Sequence, residues 1–196
     1  ISEYTVKSDK IPSGFDGFKI LQLSDFHCKS FGFDNLYLVA KIKEIAPDII
    51  LMTGDMVSRE DRSFYYFYHL AKAIGKTYDV YYTIGNHELD LKEEELNEMY
   101  AMLKGYGVKI LNNEKTTLSR NGSSIDLYGM WYGLKYYKDM HGNYRNHENF
   151  NGQELLRILG KRSQENYSIL MAHNPLVFPI YAEWGADLTF SGHVHG

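Results

Sequence analysis

Residues Phe18–His27 read FKILQLSDFH, a short apolar run that ends in polar residues. Short apolar runs bounded by polar and turn residues are typical of strands that are buried on both faces. The same arrangement recurs at Asp48–Asp55 (DIILMTGD) and at Asp79–Glu88 (DVYYTIGNHE). The sequence therefore predicts three buried strands, Phe18–Leu23, Asp48–Thr53 and Asp79–Ile84, each followed directly by side chains that can carry chemistry.

Helical patterns separate and follow these strands. Apolar residues recur at helical spacing over Asn35–Ile45, and Asp34 is the predicted N-cap of this helix. Further helices are predicted over Ser63–Ile74, Lys92–Lys104 and Gln153–Leu159, the last one capped by Asn151.

The second half of the chain contributes more strands. A hairpin is predicted at Thr116–Met130, because Asn121-Gly122 is a strong two-residue turn signal. Two further strands are predicted at Tyr167–Ala172 and Asp187–Phe190. Strands that alternate with helices favour an α/β fold whose mainly parallel sheet is covered on both faces.

Five of the predicted strand ends supply a carboxylate, a carboxamide or imidazoles: Asp25, His27, Asp55, Asn86, His173, His193 and His195. In parallel α/β sheets, ligands bind beyond the carboxyl ends of the strands. Such side chains are costly to bury unless they are paired or bind a metal. Residues two apart, such as Asp25 and His27, point to one side if the backbone is extended. We therefore expect these seven residues to converge on metal ions.

The types of these residues indicate which ions and which chemistry to expect. Carboxylates combined with imidazoles suit Mn²⁺, Fe²⁺ or Zn²⁺, and without paired cysteines a closed structural zinc site is disfavoured. Two divalent ions on two carboxylates keep about two positive charges, which favour a phosphate group. A bridging water ionises to hydroxide in such a field. The single Cys28 is interpreted as a small buried apolar residue.

Read in order, these motifs resemble those of the calcineurin-like metallophosphoesterase superfamily. They are DFH at 25–27, GD at 54–55, GNHE at 85–88, the His of AHN at 172–174, and GHVH at 192–195. The full ordered set is far more specific than any one motif. The resemblance implies a four-layer α-β-β-α sandwich with a metal site at the carboxyl ends of the strands. It also implies further C-terminal strands, so residues 1–196 are expected to be one metallophosphoesterase domain trimmed at both ends.

The resemblance further implies a role for each motif residue. One metal is expected at Asp25, His27 and His195 and the other at Asn86, His173 and His193, with Asp55 bridging both. His87 is expected to contact the phosphate or to protonate the leaving oxygen. Glu88 is expected to support the ligands from behind. The arginine that some members carry near these motifs is not identified here, and Arg59, the nearest basic residue, is expected to face solvent.

The segment IPSGFDGFKILQLSDFH (11–27) resembles a bacterial subgroup whose members carry an N-terminal anchor or export signal. This looser resemblance implies a phosphodiester or pyrophosphate substrate, such as a phosphorylated small molecule, a nucleotide sugar or a lipid. It also implies membrane association or export through a segment upstream of Ile1; without such a segment, a cytoplasmic location is expected. The net charge of −4, with no basic stripe, does not indicate a nucleic-acid partner.

Several interpretations stay open at this point. In the aromatic stretch Tyr128–Phe150, residues Trp131, Tyr132 and Tyr136 either stack on a substrate or pack the loop against the sheet. The cluster Phe64–Tyr68 is interpreted as a buried helix face. The remaining histidines are interpreted as structural, namely His69, His141 and His147. The alternative function is a catalytically silent scaffold on the same fold that acts through protein contacts.

Overall fold

The computed structural model describes residues 1–60, 63–137 and 146–195 of the 196-residue chain. The strands in these ranges are β1 (Ile20–Leu23), β2 (Ile49–Thr53), β3 (Asp79–Thr83), β4 (Lys109–Ile110), β5 (Glu114–Arg120), β6 (Ser123–Met130), β7 (Tyr167–Ala172) and β8 (Leu188–Phe190). The α-helices are α1 (Leu36–Ile45), α2 (Tyr65–Gly75), α3 (Glu93–Gly105), α4 (Gly152–Leu159) and α5 (Phe178–Trp184). The predicted strands and helices agree with these bounds to within about two residues, whereas β4 and α5 were not predicted.

The strands form two four-stranded sheets, in the orders β1-β2-β3-β4 and β5-β6-β7-β8. The first sheet is entirely parallel, and in the second sheet only the β5–β6 pair is antiparallel. The alternation of elements led to the expectation of one sheet, and this expectation is wrong because there are two. The two-sheet arrangement implied by the family resemblance is confirmed.

Side-chain alternation along the strands explains why there are two sheets. In β2, Ile50 and Met52 pack with the residues of α1, α2 and α3, whereas Ile49 and Leu51 pack with residues of the second sheet. In β7, Leu170 packs toward α4 and α5, and Ile169 packs toward the first sheet. Strands that are apolar on both faces need a cover on each side, and the result is the α-β-β-α sandwich.

Local turn and cap residues perform as predicted in the second half of the chain. Asn121 and Gly122 both have positive φ, 49° and 75°, which is the requirement of a type I′ turn between β5 and β6. The Asn151 side chain accepts hydrogen bonds from the backbone N–H groups of Gln153 (3.0 Å) and Glu154 (3.1 Å) and so caps α4.

The predicted cap of α1 is wrong. Asn35, not Asp34, precedes the helix, and neither residue caps it with a side-chain hydrogen bond. Both residues have positive φ, and the Asp34 carboxylate instead accepts a hydrogen bond from the Tyr65 hydroxyl (3.2 Å). The tight turn before α1 directs Asp34 toward α2, away from the N–H groups it was predicted to cap.

The aromatic start of α2 is only partly the buried face that was predicted. Phe67 is fully buried in the first core, whereas Tyr65 and Tyr66 are exposed. Across the part of the chain that the structure describes, none of the helices is long and apolar enough to cross a membrane.

The packing between the two sheets yields a stability prediction. Leu51 is fully buried there, so Leu51→Ala is expected to lower the free energy of unfolding by about 2–5 kcal/mol through lost burial and a residual cavity. Leu156→Ala, at an exposed position of α4, is the matched control. Urea denaturation followed by circular dichroism measures both, and equal losses for the two variants would contradict the assignment of Leu51 to the inter-sheet core.

Candidate metal centre

The predicted ligands meet at one edge of the sandwich, beyond the carboxyl ends of the strands. Their ligand atoms form three groups, within each of which all the atoms lie within 4.8 Å of one another. The groups are Asp25 with His27 and His195, His27 with Asp55 and His87, and Asp55 with His173 and His193. The groups share His27 and Asp55, so they make one continuous cluster.

Nitrogen and oxygen atoms with lone pairs approach one another closely in this cluster. The Nε2 atoms of His27 and His195 are 3.2 Å apart, and Asp25 Oδ1 lies 3.5 Å from His195 Nε2. Neutral imidazole nitrogens that carry lone pairs repel each other unless they share a proton or a metal ion. The arrangement fits ligands that surround a common centre.

His173 gives the clearest test of whether a metal fits. Its Nδ1 lies 2.8 Å from the Thr53 carbonyl oxygen, an acceptor, so Nδ1 carries the proton in the neutral ring. In that neutral ring the lone pair of Nε2 faces Asp55 Oδ2 at 3.0 Å, and two acceptors at this distance repel unless a proton or a metal ion lies between them. Asn86 provides another observation, because its Oδ1 is buried without a hydrogen-bond partner. The residues therefore fit a bound metal.

The electrostatics of the Asp55–His173 pair lead to the same conclusion. Burial raises the pKa of Asp55, but its contacts with His173 and His87 outweigh burial and lower it to about 2. Burial lowers the pKa of His173, but the Asp55 and Asp25 carboxylates outweigh this effect and raise it. This corner of the site is therefore negative and attracts positive charge.

Five of the seven predicted ligands have left-handed backbone, not the extended backbone that was the condition for Asp25 and His27 pointing to one side. The φ values are 53° for Asp25, 49° for His27, 50° for Asp55, 71° for His193 and 59° for His195. Such φ values in non-glycine residues cost on the order of 1 kcal/mol or more each and occur where the surrounding structure enforces them. Here backbone hydrogen bonds join the loops, from Asp25 N–H to the Gly54 carbonyl (3.2 Å) and from His27 N–H to the Asp55 carbonyl (3.0 Å).

Two glycines beside the ligands are required for space. A Cβ at Gly85 would collide with the Asp55 backbone nitrogen and carboxylate, and a Cβ at Gly192 would collide with Ser24 and the Asp25 carboxylate. Neither glycine has positive φ, so each is required for close approach and not for a turn conformation.

Glu88 is fully buried directly behind Asp55. Its carboxylate accepts five hydrogen bonds of 2.7–3.3 Å, from the N–H groups of Asp55, Met56, Val57 and Gly85 and from the Tyr82 hydroxyl. Burial and the neighbouring Asp55 charge raise the pKa of Glu88 in spite of these donors. The contacts support the predicted role, because they hold the backbone that carries Asp55 and Asn86.

His87 belongs to the second group of the cluster, and its backbone N–H donates to Asp55 Oδ1 (2.8 Å). Its Nδ1 accepts a hydrogen bond from Arg59 N–H (3.1 Å), and its Nε2 lies 3.9 Å from Asp55 Oδ2. Burial lowers the pKa of His87 to about 4, and Arg59 adds to this effect while Asp55 opposes it. The expectation that Arg59 faces solvent is wrong, since its guanidinium is mostly buried and pairs with Asp90 at 2.5 Å.

The aromatic residues after β6 pack mainly among themselves. Tyr132 and Tyr136 are buried and stack against Phe150, and the Trp131 indole N–H donates to Asn112 Oδ1. These contacts favour the packing alternative over substrate stacking, although residues 138–145 of this stretch lie outside the described part. Tyr137, which the sequence did not single out, contacts the His193 ring at 5.5 Å between centroids.

The remaining predicted positions lie around the site without joining it. Cys28 is buried, as predicted. His69 lies 3.9 Å from Asp34 and stacks on Tyr65, and His147 lies in a short 3-10 helix, so neither is in the ligand cluster. His141 lies outside the described residues.

Curated relatives match nearly all of this chain. Metallophosphoesterase YkuE of Bacillus subtilis is 28% identical and metallophosphoesterase Cj0846 of Campylobacter jejuni is 27% identical. The bovine transmembrane protein with metallophosphoesterase domain is 25% identical. These matches cover 100%, 95% and 100% of this chain but only 64%, 46% and 44% of the respective relatives. The chain thus spans less than two thirds of each relative.

Two solved structures share the fold. Phosphopantetheinyl hydrolase (PptH) of Mycobacterium tuberculosis has a TM-score of 0.55 at 14% identity, over 90% of this chain and 83% of its own. NAD nucleotidase (NadN) of Haemophilus influenzae has a TM-score of 0.58 at 16% identity, over 91% of this chain and 38% of its own. The family model of the calcineurin-like phosphoesterases matches residues 18–196. The ordered motifs, the two-sheet fold and this match agree: the chain belongs to the calcineurin-like phosphoesterase family.

Proposed function

We propose that this chain hydrolyses a phosphoester, most readily a phosphodiester or pyrophosphate bond, at a centre of two divalent metal ions. The observation that carries the proposal is the continuous ligand cluster, in which three groups overlap through His27 and Asp55. Two overlapping sites within one cluster suit a pair of ions that contact the same phosphoryl group.

The proposed ligand assignment follows the first and third groups and adds Asn86, whose Oδ1 is buried without a hydrogen-bond partner. Asp25, His27 and His195 hold one ion, and Asn86, His173 and His193 hold the other, with Asp55 shared. This donor set suits Mn²⁺, Fe²⁺ or Zn²⁺. When bound, the ions supply positive charge that polarises the phosphoryl group and lowers the pKa of water.

His87 is proposed to donate to the phosphoryl or leaving oxygen. Because its Nδ1 accepts from Arg59 N–H, the proton of the neutral ring lies on Nε2, the atom on the Asp55 side. The ring can therefore donate from Nε2 in its neutral as well as its charged form. Arg59, held by Asp90, adds positive charge beside His87.

The substrate class is less narrowly constrained than the reaction class. The names of two structural neighbours, a nucleotidase and a hydrolase, support hydrolysis as the reaction. We propose a phosphorylated small molecule, a nucleotide sugar or a lipid as substrate. The bacterial subgroup, and membrane association through an upstream segment, stay predictions. The bovine transmembrane relative supports membrane association by its name alone.

Replacement of the shared ligand tests the function. Asp55→Asn is expected to lower the rate of bis(p-nitrophenyl) phosphate hydrolysis by more than about 100-fold in Mn²⁺-containing buffer, because it removes a charge from both ions. Asp79→Asn, at the opposite end of β3, is the matched control. Unchanged activity in Asp55→Asn would contradict the assignment. A wild-type protein that contains no bound metal and shows no activity after Mn²⁺ is added would favour the scaffold alternative.

His87→Ala is expected to lower kcat by roughly 100-fold or more while leaving the bound metal content unchanged. The loss should be larger for an alkyl leaving group than for p-nitrophenolate, because only the alkoxide requires a proton as it leaves. Parallel assays with the two ester types and elemental analysis measure this. His69→Ala is the matched control, and equal losses with both leaving groups would argue against leaving-group protonation.

Glu88→Gln is expected to weaken metal binding by roughly 10–100-fold. The Glu88 carboxylate now accepts hydrogen bonds from backbone N–H groups. In the variant the amide NH₂ would face some of these donors and could not accept from them, so the loop carrying Asp55 would shift. Metal titration followed by activity measures the change, with the exposed Glu183→Gln as control. If Glu88→Gln bound metal as tightly as the wild type, the support role of Glu88 would be wrong.

A further inference from the structure

An exposed apolar surface lies on the β1–α1 loop and on the first turns of α1 and α2. We call it the aromatic patch. It consists of Phe31, Phe33, Leu36, Tyr37, Tyr65 and Tyr66. Phe33 and Tyr37 are 82% and 77% exposed, far more than residues that merely border a core. Contiguous exposed apolar side chains are unfavourable in water and mark surfaces that contact a partner, a membrane or a ligand.

The aromatic patch is continuous with the metal centre. The β1–α1 loop carries Asp25 and His27 before it reaches Phe31, and the β2–α2 loop carries Asp55 before α2 begins at Tyr65. The Phe31 ring contacts the ring of Phe26, which lies between the two ligands of the first loop, at 5.9 Å between centroids. The patch and the ligands therefore share one edge of the sandwich.

Buried polar contacts hold the two halves of the patch together. Asn35 is fully buried; its side chain accepts from Phe31 N–H (2.9 Å) and donates to the Tyr66 carbonyl (2.9 Å). The turn before α1 places Gly32, Asp34 and Asn35 at positive φ, and a side chain at Gly32 would collide with the Tyr37 ring. The apolar side chains are thus presented by an ordered and strained turn.

The shape of the aromatic patch favours a lipid surface over a soluble ligand. Phe33 and Tyr37 project with more than three quarters of their area exposed. Side chains exposed to this extent cannot enclose a small molecule, but they can insert between lipids. Tyr and Phe suit the membrane interface, where an apolar ring is buried and a hydroxyl stays wet. Asp34 is the charged residue of the stretch 31–37, and its carboxylate accepts a hydrogen bond from the Tyr65 hydroxyl (3.2 Å), so attraction to the bilayer would be mainly apolar.

We propose that the aromatic patch docks on a lipid bilayer and so presents the metal centre to a phosphoester group at the membrane surface. The docking stands on the patch itself, and the presentation of substrate rests on the proposed function. A phosphoester that carries a long apolar chain is therefore the substrate class that this surface selects.

Vesicle binding tests the docking. The whole chain is sedimented with vesicles of phosphatidylcholine alone and with phosphatidylglycerol added, at low and high salt. We expect binding to both compositions that persists at high salt. Phe33→Ser/Tyr37→Ser should lower partitioning by at least about tenfold, whereas the exposed control pair Tyr4→Ser/Phe178→Ser should stay within about twofold. If the double variant unfolds, Phe33→Ser alone, at the most exposed position of the patch, replaces it in the binding assay.

Hydrolysis separates the docking from the proposed function. Wild type and Phe33→Ser/Tyr37→Ser are expected to hydrolyse soluble bis(p-nitrophenyl) phosphate within about twofold of each other, whereas vesicle-embedded hexadecyl p-nitrophenyl phosphate should be cleaved at least about tenfold more slowly by the variant. Patch-dependent vesicle binding without hydrolysis of either ester would support docking and contradict the proposed function.

Three results would overturn the docking proposal. The first is wild type that fails to bind either vesicle. The second is a patch variant that binds vesicles as well as the wild type. The third is a wild type that self-associates in solution, without vesicle binding, in a manner that Phe33→Ser/Tyr37→Ser abolishes. That last result would identify a second copy of the chain as the occupant of the patch.

Discussion

The candidate centre depends on one buried carboxylate, that of Glu88. Four backbone N–H groups and a tyrosine hydroxyl converge on it, so the ends of β2 and β3 are held against each other at the point where Asp55 and Asn86 emerge. A buried carboxylate is costly unless donors surround it, and this one is surrounded. Because the donors are mostly backbone groups, Glu88 orders the loops themselves, and the ligand side chains follow from the loops.

Contacts between the loops that carry the ligands explain the strained backbone of the site. The loops after β1, β2 and β8 cross within hydrogen-bond distance of one another, as the contacts from Asp25 to Gly54 and from His193 to Asp25 show. The five ligands with positive φ lie in these loops, where the contacts between the loops hold the backbone in the left-handed region. Gly85 and Gly192 supply the remaining clearance.

The sequence predicted the helices and strands, and which side chains meet at the strand ends, because both depend on local patterns. Apolar runs, turn residues and motif order are local signals, and the strand-end rule brought the side chains together without coordinates. The left-handed loops and the pairing of Arg59 with Asp90 were missed, since they follow from loop contacts between segments distant in the chain. The helix α5 was missed because it is short and has a proline in its first turn.

The ligands come from both sheets, and this has a consequence for stability. Asp25, Asp55 and Asn86 follow strands of the first sheet, whereas His173, His193 and His195 follow strands of the second. His173 Nε2 and Asp55 Oδ2 face each other across that boundary at 3.0 Å. A metal ion bound by these two residues would join the two sheets, and its binding free energy would then add to the folding free energy. Metal binding and the packing of the sandwich would be one linked equilibrium.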